Sequence, residues 1–364
     1  MSDFSSYGGP SAEWTALAAQ LPPPPAAPRS VAELKSEINA DREQRAREAM
    51  QALSSSVAMA DYSIPTRDGK SIEGRAYRAR NNGHDGGRPL PVYVHLHGGG
   101  FAFGTLASED AICARMAIAT GVIVLNVNYR HTPEATYPTA WQDAHDALVW
   151  LHRNINELGG DPAQVVMGGI SAGAQITASL VLQKHLEAGK DPVSSAPSFP
   201  QVVGQVLMIP CLVNVDAYGP QLARLRDPKL SSYVENEHAP ILPVARIRAF
   251  MDLLQISKPV DPADLALNPG NASVDQVCGL PPTVLGICGL DPLRDEGLLF
   301  GELLTKAGVP NETYLFRGVP HGYRRFGDKL PSASAHWDKV MHEGIQWVLK
   351  CPQARKDFAI HDLK

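Results

Sequence analysis

The amino-acid sequence predicts an α/β fold: a mostly parallel central sheet flanked by helices, with a helical cap. Three observations predict it. Short, almost continuously apolar runs recur at 91–96, 122–129, 165–169, 202–209, 283–288 and 312–316. They are too short for core helices and lack the alternation of half-exposed strands, so they read as strands buried on both faces. Helix-period patterns lie between or after them, at 108–120, 137–158, 172–188, 293–307 and 333–350. Strand-helix alternation of this kind requires crossovers, and crossovers produce parallel pairing with both faces covered. Finally, glycine clusters follow two of the runs directly, at 98–100 and 168–173.

The elements follow in order. Residues 1–60 begin loosely, and the prolines at 22–25 read as a stiff extended connector. Ser30 and Glu33 have the spacing of a capping box, which predicts a charged helix over 31–53. Its apolar positions are sparse, so it covers another surface and is no core itself. Asp68-Gly69 is a turn signal between 62–65 and 71–77 and predicts an antiparallel strand pair at one sheet edge. The alternation breaks between Asn214 and Pro269, a proline-punctuated stretch with helical pieces and no strand. An insertion on an open α/β sheet rises over the strand ends. The predicted organisation is therefore cap helices at 1–60, core at 61–214, a cap insertion at 215–264 and the rest of the core at 265–364.

Composition excludes several classes. The 33 basic and 38 acidic residues give a net charge of −5, which argues against a nucleic-acid groove or binding to an anionic membrane. The uncharged stretch 162–183 is long enough to span a bilayer, but its polar residues and central glycines favour strand, turn and helix. Met1-Ser2-Asp3-Phe4 has neither the basic nor the apolar region of a secretory signal, so a cytoplasmic location is expected. The five cysteines are widely spaced with no C-x-x-C, which implies neither a zinc site nor a disulfide framework. No cofactor is expected, and self-association is compatible with the sequence.

The strongest chemical signal is Gly169-Ile170-Ser171-Ala172-Gly173, between an apolar run and a helix. A serine on a sharp strand-to-helix turn projects its hydroxyl from the sheet. The residues two before and two after it approach so closely that both must be glycine. His97-Gly98-Gly99-Gly100-Phe101 follows the run 91–96. Backbone N–H groups of Gly98 and Gly99, with that of Ala172, are candidate donors to a developing oxyanion. His95 and His97 on one strand face also suggest a metal pair, but no third ligand follows at metallohydrolase spacing, so no metal is expected. A serine nucleophile needs a base and an orienting acid, in the chain order Ser, Asp or Glu, His. His321, on a short loop after a strand and flanked by Pro320 and Gly322, is the best-placed histidine. Asp291 closes the run 283–290 at a strand's C-terminal end, whereas Asp295 and Glu296 fall in the next helix's first turn, where they complement its dipole.

In order, HGGG at 97–100, YRxxPE at 129–134, GxSAG at 169–173, DPLRDEG at 291–297 and HGY at 321–323 resemble the hormone-sensitive lipase-like family of α/β-hydrolase carboxylesterases. The resemblance runs from about residue 91 to the last helix. It implies the α/β-hydrolase fold and a triad of Ser171, Asp291 and His321. It also implies an oxyanion hole from Gly98, Gly99 and Ala172, and a cap built from N-terminal helices plus an insertion. Tyr129, Arg130, Pro133 and Glu134 match a segment that supports the active-site loops, and Asp143 falls at a matching position. Two departures concern subfamily only: Ile170 stands where Asp or Thr is usual, and His131-Thr132 where Leu-Ala is common. The expected substrate is a small-molecule ester with a short-to-medium acyl group. Amide, lactone or natural-product ester hydrolysis uses the same triad. A non-catalytic receptor on this scaffold would lack His321.

Overall fold

A computed structural model describes residues 1–22, 29–80, 88–188 and 199–364; the prolines at 23–25 of the expected connector lie outside the described residues. Two helices come first, α1 (Ala12–Ala18) and α2 (Val31–Leu53), the second opened by the Ser30–Glu33 capping box. The sheet strands are β1 (Val57–Pro65), β2 (Ser71–Ala79), β3 (Leu90–Leu96), β4 (Ile123–Asn128), β5 (Gly160–Ile170), β6 (Val202–Met208), β7 (Thr283–Leu290), β8 (Asn311–Pro320) and β9 (Ile360–Leu363). The long helices interleaved with them are α3 (Leu106–Thr120), α4 (Thr139–Asn154), α5 (Ala172–Ala188), α6 (Val244–Leu253), α7 (Arg294–Lys306) and α8 (Pro331–Val348).

The sheet runs β1-β2-β4-β3-β5-β6-β7-β8-β9. β1 and β2 are antiparallel at one edge, β2 meets β4 antiparallel, and every other pairing is parallel. Successive strand residues feed opposite faces, so the apolar runs divide between two cores. Val92, Val94, Leu96, Met167, Leu207 and Leu285 pack with α4, α5 and α7. Tyr93, Val124, Val166, Val206 and Val284 pack with α3 and α8.

Two parts differ from the sequence expectation. β1 begins at Val57, inside the expected cap segment, because Val57 is buried and pairs with Ala79. The start of the chain is not loose. α1 buries Trp14 and Leu17, sets the Trp14 ring tilted against Phe326, and is tied by Ser11 N–H donating to the Gly318 carbonyl. Its anchors are single residues too few to show a period.

The order β4-β3-β5 positions the site. From β3 the chain crosses to β4 on one side, and from β4 it returns over β3 to β5. The segments leaving β3 and β5 therefore depart in opposite directions from neighbouring strands, which opens a crevice at their carboxyl ends. The HGGG loop and the GxSAG turn both lie there.

Candidate active site

β5 ends at Ile170 and α5 starts at Ala172, so Ser171 alone turns the chain. Its φ of 54° lies in the left-handed region that β-substituted residues avoid. The turn is held by Ser171 N–H donating to the Met208 carbonyl at 2.8 Å and by Gln175 N–H donating to Ser171 O. Its two glycines face crowded backbone. A Cβ on Gly169 would lie 2.5 Å from the Gly173 carbonyl carbon, and one on Gly173 would collide with the Leu96 carbonyl at the end of β3. The glycines thus let the serine turn seat directly on the neighbouring strand.

Two other strand ends supply partners. Asp291 follows β7 and is 1% exposed; His321 follows β8 and is 7% exposed. His321 Nδ1 lies 2.7 Å from Asp291 Oδ2, and His321 Nε2 lies 2.9 Å from Ser171 Oγ. A carboxylate only accepts, so Nδ1–H is the donor to it, and Nε2 then accepts from the serine hydroxyl. Asp291 is fixed by its Oδ1 accepting from Leu293 N–H at 3.0 Å. Beside the serine, the HGGG loop runs through positive φ at Gly99, Gly100 and Phe101 and closes with Ala102 and Phe103 N–H groups donating to the Gly99 carbonyl. Among the described residues, no acceptor is bonded to the N–H groups of Gly98, Gly99 or Ala172. A site with a proton acceptor on its serine and vacant donors beside it can add the serine to a carbonyl group and hold the resulting negative charge.

A family model described as alpha/beta hydrolase fold matches residues 93–325. The chain belongs to the α/β-hydrolase family, in its hormone-sensitive lipase-like branch. Esterase LipI of Mycobacterium tuberculosis is 35% identical over 246 residues, 67% of this chain and 69% of that protein. Carboxylesterase NlhH of the same species is 37% identical over 250 residues, 67% and 70% of the two chains. The crystal structure of vibralactone cyclase superposes with a TM-score of 0.81 at 25% identity, covering 97% of this chain and 98% of that one.

Around the reacting groups, this α/β-hydrolase packs the residues of the YRxxPE segment unevenly. Tyr129 is fully buried; its hydroxyl donates to the His97 carbonyl at 2.7 Å and its ring stacks on the His97 imidazole at 4.4 Å. Burial pushes the Tyr129 hydroxyl pKa up, which keeps it a donor. Arg130 grips buried Asp143 with its side chain and its backbone N–H, and reaches Asp68 with its remaining nitrogen. Glu134 is largely exposed and instead pairs with Lys35 of α2. Gly100 faces the Phe250 ring of α6, which a Cβ would strike.

Several neighbours have partners that the sequence did not indicate. His95 and His97 do not converge: His95 Nε2 meets Glu109 of α3 at 3.1 Å, while His97 lies beyond β3 against His131. Among the described residues no cluster of His, Cys, Asp or Glu is arranged to hold a metal ion. Burial lowers the His97 pKa to about 4 and the His131 pKa to about 2, so both rings are neutral near pH 7. Burial would raise Glu109, but Arg42 and His95 outweigh it and hold its carboxyl below the usual range. Asp295 and Glu296 are buried and have specific partners beyond the helix dipole. Asp295 accepts from Ser232 N–H, and Glu296 from Leu212 N–H. Burial raises Glu296 well above its ordinary value, with Asp291 adding to the effect. Arg42 also escaped notice, because one arginine on a charged helix looks like its neighbours.

Proposed function

We propose that this chain is a carboxylesterase that hydrolyses small-molecule esters of short-to-medium acyl chains through a covalent acyl-serine intermediate. The observation that carries the reading is the continuous hydrogen-bonded chain from Asp291 through His321 to Ser171 beside free backbone donors. The relatives named as esterases support the reaction class. Ser171 Oγ attacks the ester carbonyl while His321 Nε2 takes its proton. The N–H groups of Gly98, Gly99 and Ala172 hold the tetrahedral oxyanion. His321 then protonates the departing alkoxide, leaving Ser171 acylated. Water attacks the acyl group with His321 again as base, and the acid departs as Ser171 recovers its proton. Asp291 fixes the imidazole tautomer and balances its transient charge. His97, Gly100, Tyr129, Arg130, Asp143, Glu134, Gly169 and Gly173 are supporting residues in this scheme, acting through the turns they shape. Residues 1–56, which precede β1, act with 215–264 as a cap that bounds the substrate.

A lactone in place of an open-chain ester is the second reading. It is favoured by the full-length likeness to a cyclase named for a lactone. Fluorophosphonate labelling with p-nitrophenyl ester and lactone turnover tests both. Wild type is expected to label and turn over, and Ser171→Ala to do neither while keeping its circular dichroism spectrum. Retained esterase activity in Ser171→Ala would reject the scheme.

A further inference from the structure

We propose that Arg42, on the N-terminal helix α2, is a positioning residue for the oxyanion hole: by holding the Gly98 carbonyl it aims the Gly99 N–H at the reacting oxygen. This rests on the proposed hydrolytic reading of the site. In a trans peptide the carbonyl and the N–H point in opposite directions. Whatever fixes the carbonyl of residue 98 from one side therefore fixes the N–H of residue 99 on the other. Arg42 Nη1 donates to the Gly98 carbonyl at 3.0 Å. The preceding peptide is held the same way, with the Tyr129 hydroxyl on the His97 carbonyl, which aims the Gly98 N–H. Both candidate donors thus belong to peptides clamped from behind, one by the core and one by α2.

The Arg42 clamp is itself anchored. Its Nη2 donates to Glu109 Oε1 at 2.5 Å, and the other oxygen of this fully buried carboxylate meets His95 Nε2 at 3.1 Å. A charge-assisted pair in a water-poor setting holds direction better than a neutral bond. Glycine makes the clamp necessary, because Gly99 at φ 143° has no side chain to restrict its peptide. Around this contact α2 grips the same loop twice more: Asn39 Oδ1 accepts from Gly104 N–H, and Glu43 accepts from the Thr105 hydroxyl. A sparsely apolar helix placed over the site thereby sets the geometry of its donors. The Gly98 carbonyl also accepts from His97 Nδ1 at 3.3 Å, so losing Arg42 loosens the peptide without freeing it. The expected loss is about tenfold in kcat, less than the roughly 10²–10³ of removing a donor outright.

The test compares wild type with Arg42→Met, which keeps an unbranched stem without the guanidinium, and with Glu48→Ala as a control on the exposed side of α2. Kinetics on p-nitrophenyl butyrate and inhibition by an aliphatic trifluoromethyl ketone, which forms a tetrahedral oxyanion on the serine, are read together. Arg42→Met is expected to lower kcat about tenfold, leave KM within about twofold and weaken the ketone in parallel with kcat/KM. Guanidinium at millimolar concentration should restore part of the loss in Arg42→Ala. Glu48→Ala should match wild type. Should Arg42→Met fail to fold, Arg42→Lys carries the test, because an ammonium cannot fill the Gly98 and Glu109 bonds in the same fork and should weaken the ketone. Unchanged ketone affinity in a folded variant, or a loss confined to KM, overturns the proposal. Wild type that neither labels with fluorophosphonate nor turns over rejects the hydrolytic reading instead.

Discussion

At the scale of single residues, the site depends on side chains kept in states they would not hold in water. Ser171 holds a left-handed backbone, a strain maintained because its N–H is bonded to the Met208 carbonyl at the end of β6 and its carbonyl to the Gln175 N–H of α5. His97 and His131 stay neutral behind the glycine loop. His97 Nδ1–H donates to the Gly98 carbonyl, so its Nε2 accepts from His131 Nε2–H at 3.3 Å. On unfolding, both rings regain the ordinary histidine pKa near 6.5 and the unfolded chain binds more protons. The stability they contribute is complete above about pH 6.5 and is lost as pH falls towards about 4, the folded value of His97. For His97 that loss is about 2 kcal/mol between pH 7 and pH 5. His131→Leu removes one of the two groups and the hydrogen bond its Nε2–H gives to His97. Its melting temperature should fall less steeply than that of wild type between pH 7 and pH 5; an equal slope would show that these rings do not set the acid sensitivity.

At the scale of elements, the strand-turn-helix of β5 and α5 requires glycine on both sides of the serine for contact with β3. Gly173→Ala puts a methyl group into the Leu96 and His97 carbonyls, where rigid backbone cannot yield. Overpacking of this kind costs about 1–3 kcal/mol or more and should displace Ser171, lowering both the melting temperature and kcat. Gly219→Ala makes the same chemical change in open space at the start of a short helix. It should leave both quantities unchanged or raise stability slightly. Equal effects in thermal melts and ester turnover would refute the packing argument. This contrast also explains what the sequence could reveal. The turn residues are short-range signals, because local backbone geometry selects glycine beside a strained serine whatever the surroundings. Asp291 and His321 were legible for a related reason, Asp291 closing an apolar run and His321 standing on the short loop after another, where open α/β sheets gather polar groups. The long strands and helices were legible from apolar periodicity. α1 and the short edge strand β9, with no fully buried residue, carry no such pattern. Arg42 and Glu109 lie 67 residues apart, and nothing local distinguishes them from solvated charges.

At the scale of the whole molecule, the chain places the two halves of the reaction on different supports. The hydrogen-bonded Ser171, His321 and Asp291 stand on the ends of β5, β8 and β7, rigid elements buried on both faces. The glycine loop is bordered by segments outside the sheet: α2 on one side and α6, through Phe250, on the other. Phe250 meets Phe103 edge-on at 5.6 Å and overlies Gly100. Removing its ring should widen the space beside the loop. Phe250→Ala is expected to raise the octanoate-to-acetate ratio of kcat/KM by at least about threefold in a p-nitrophenyl ester series. An unchanged ratio would place the acyl group elsewhere. The central claim is that Ser171 becomes acylated, and rapid acid quenching of wild type during p-nitrophenyl ester turnover, followed by peptide mass spectrometry, tests it most directly. The account predicts an acyl group on the peptide carrying Ser171 at close to one per chain during the burst; turnover with that peptide unmodified, or with the acyl group on another residue, would contradict it.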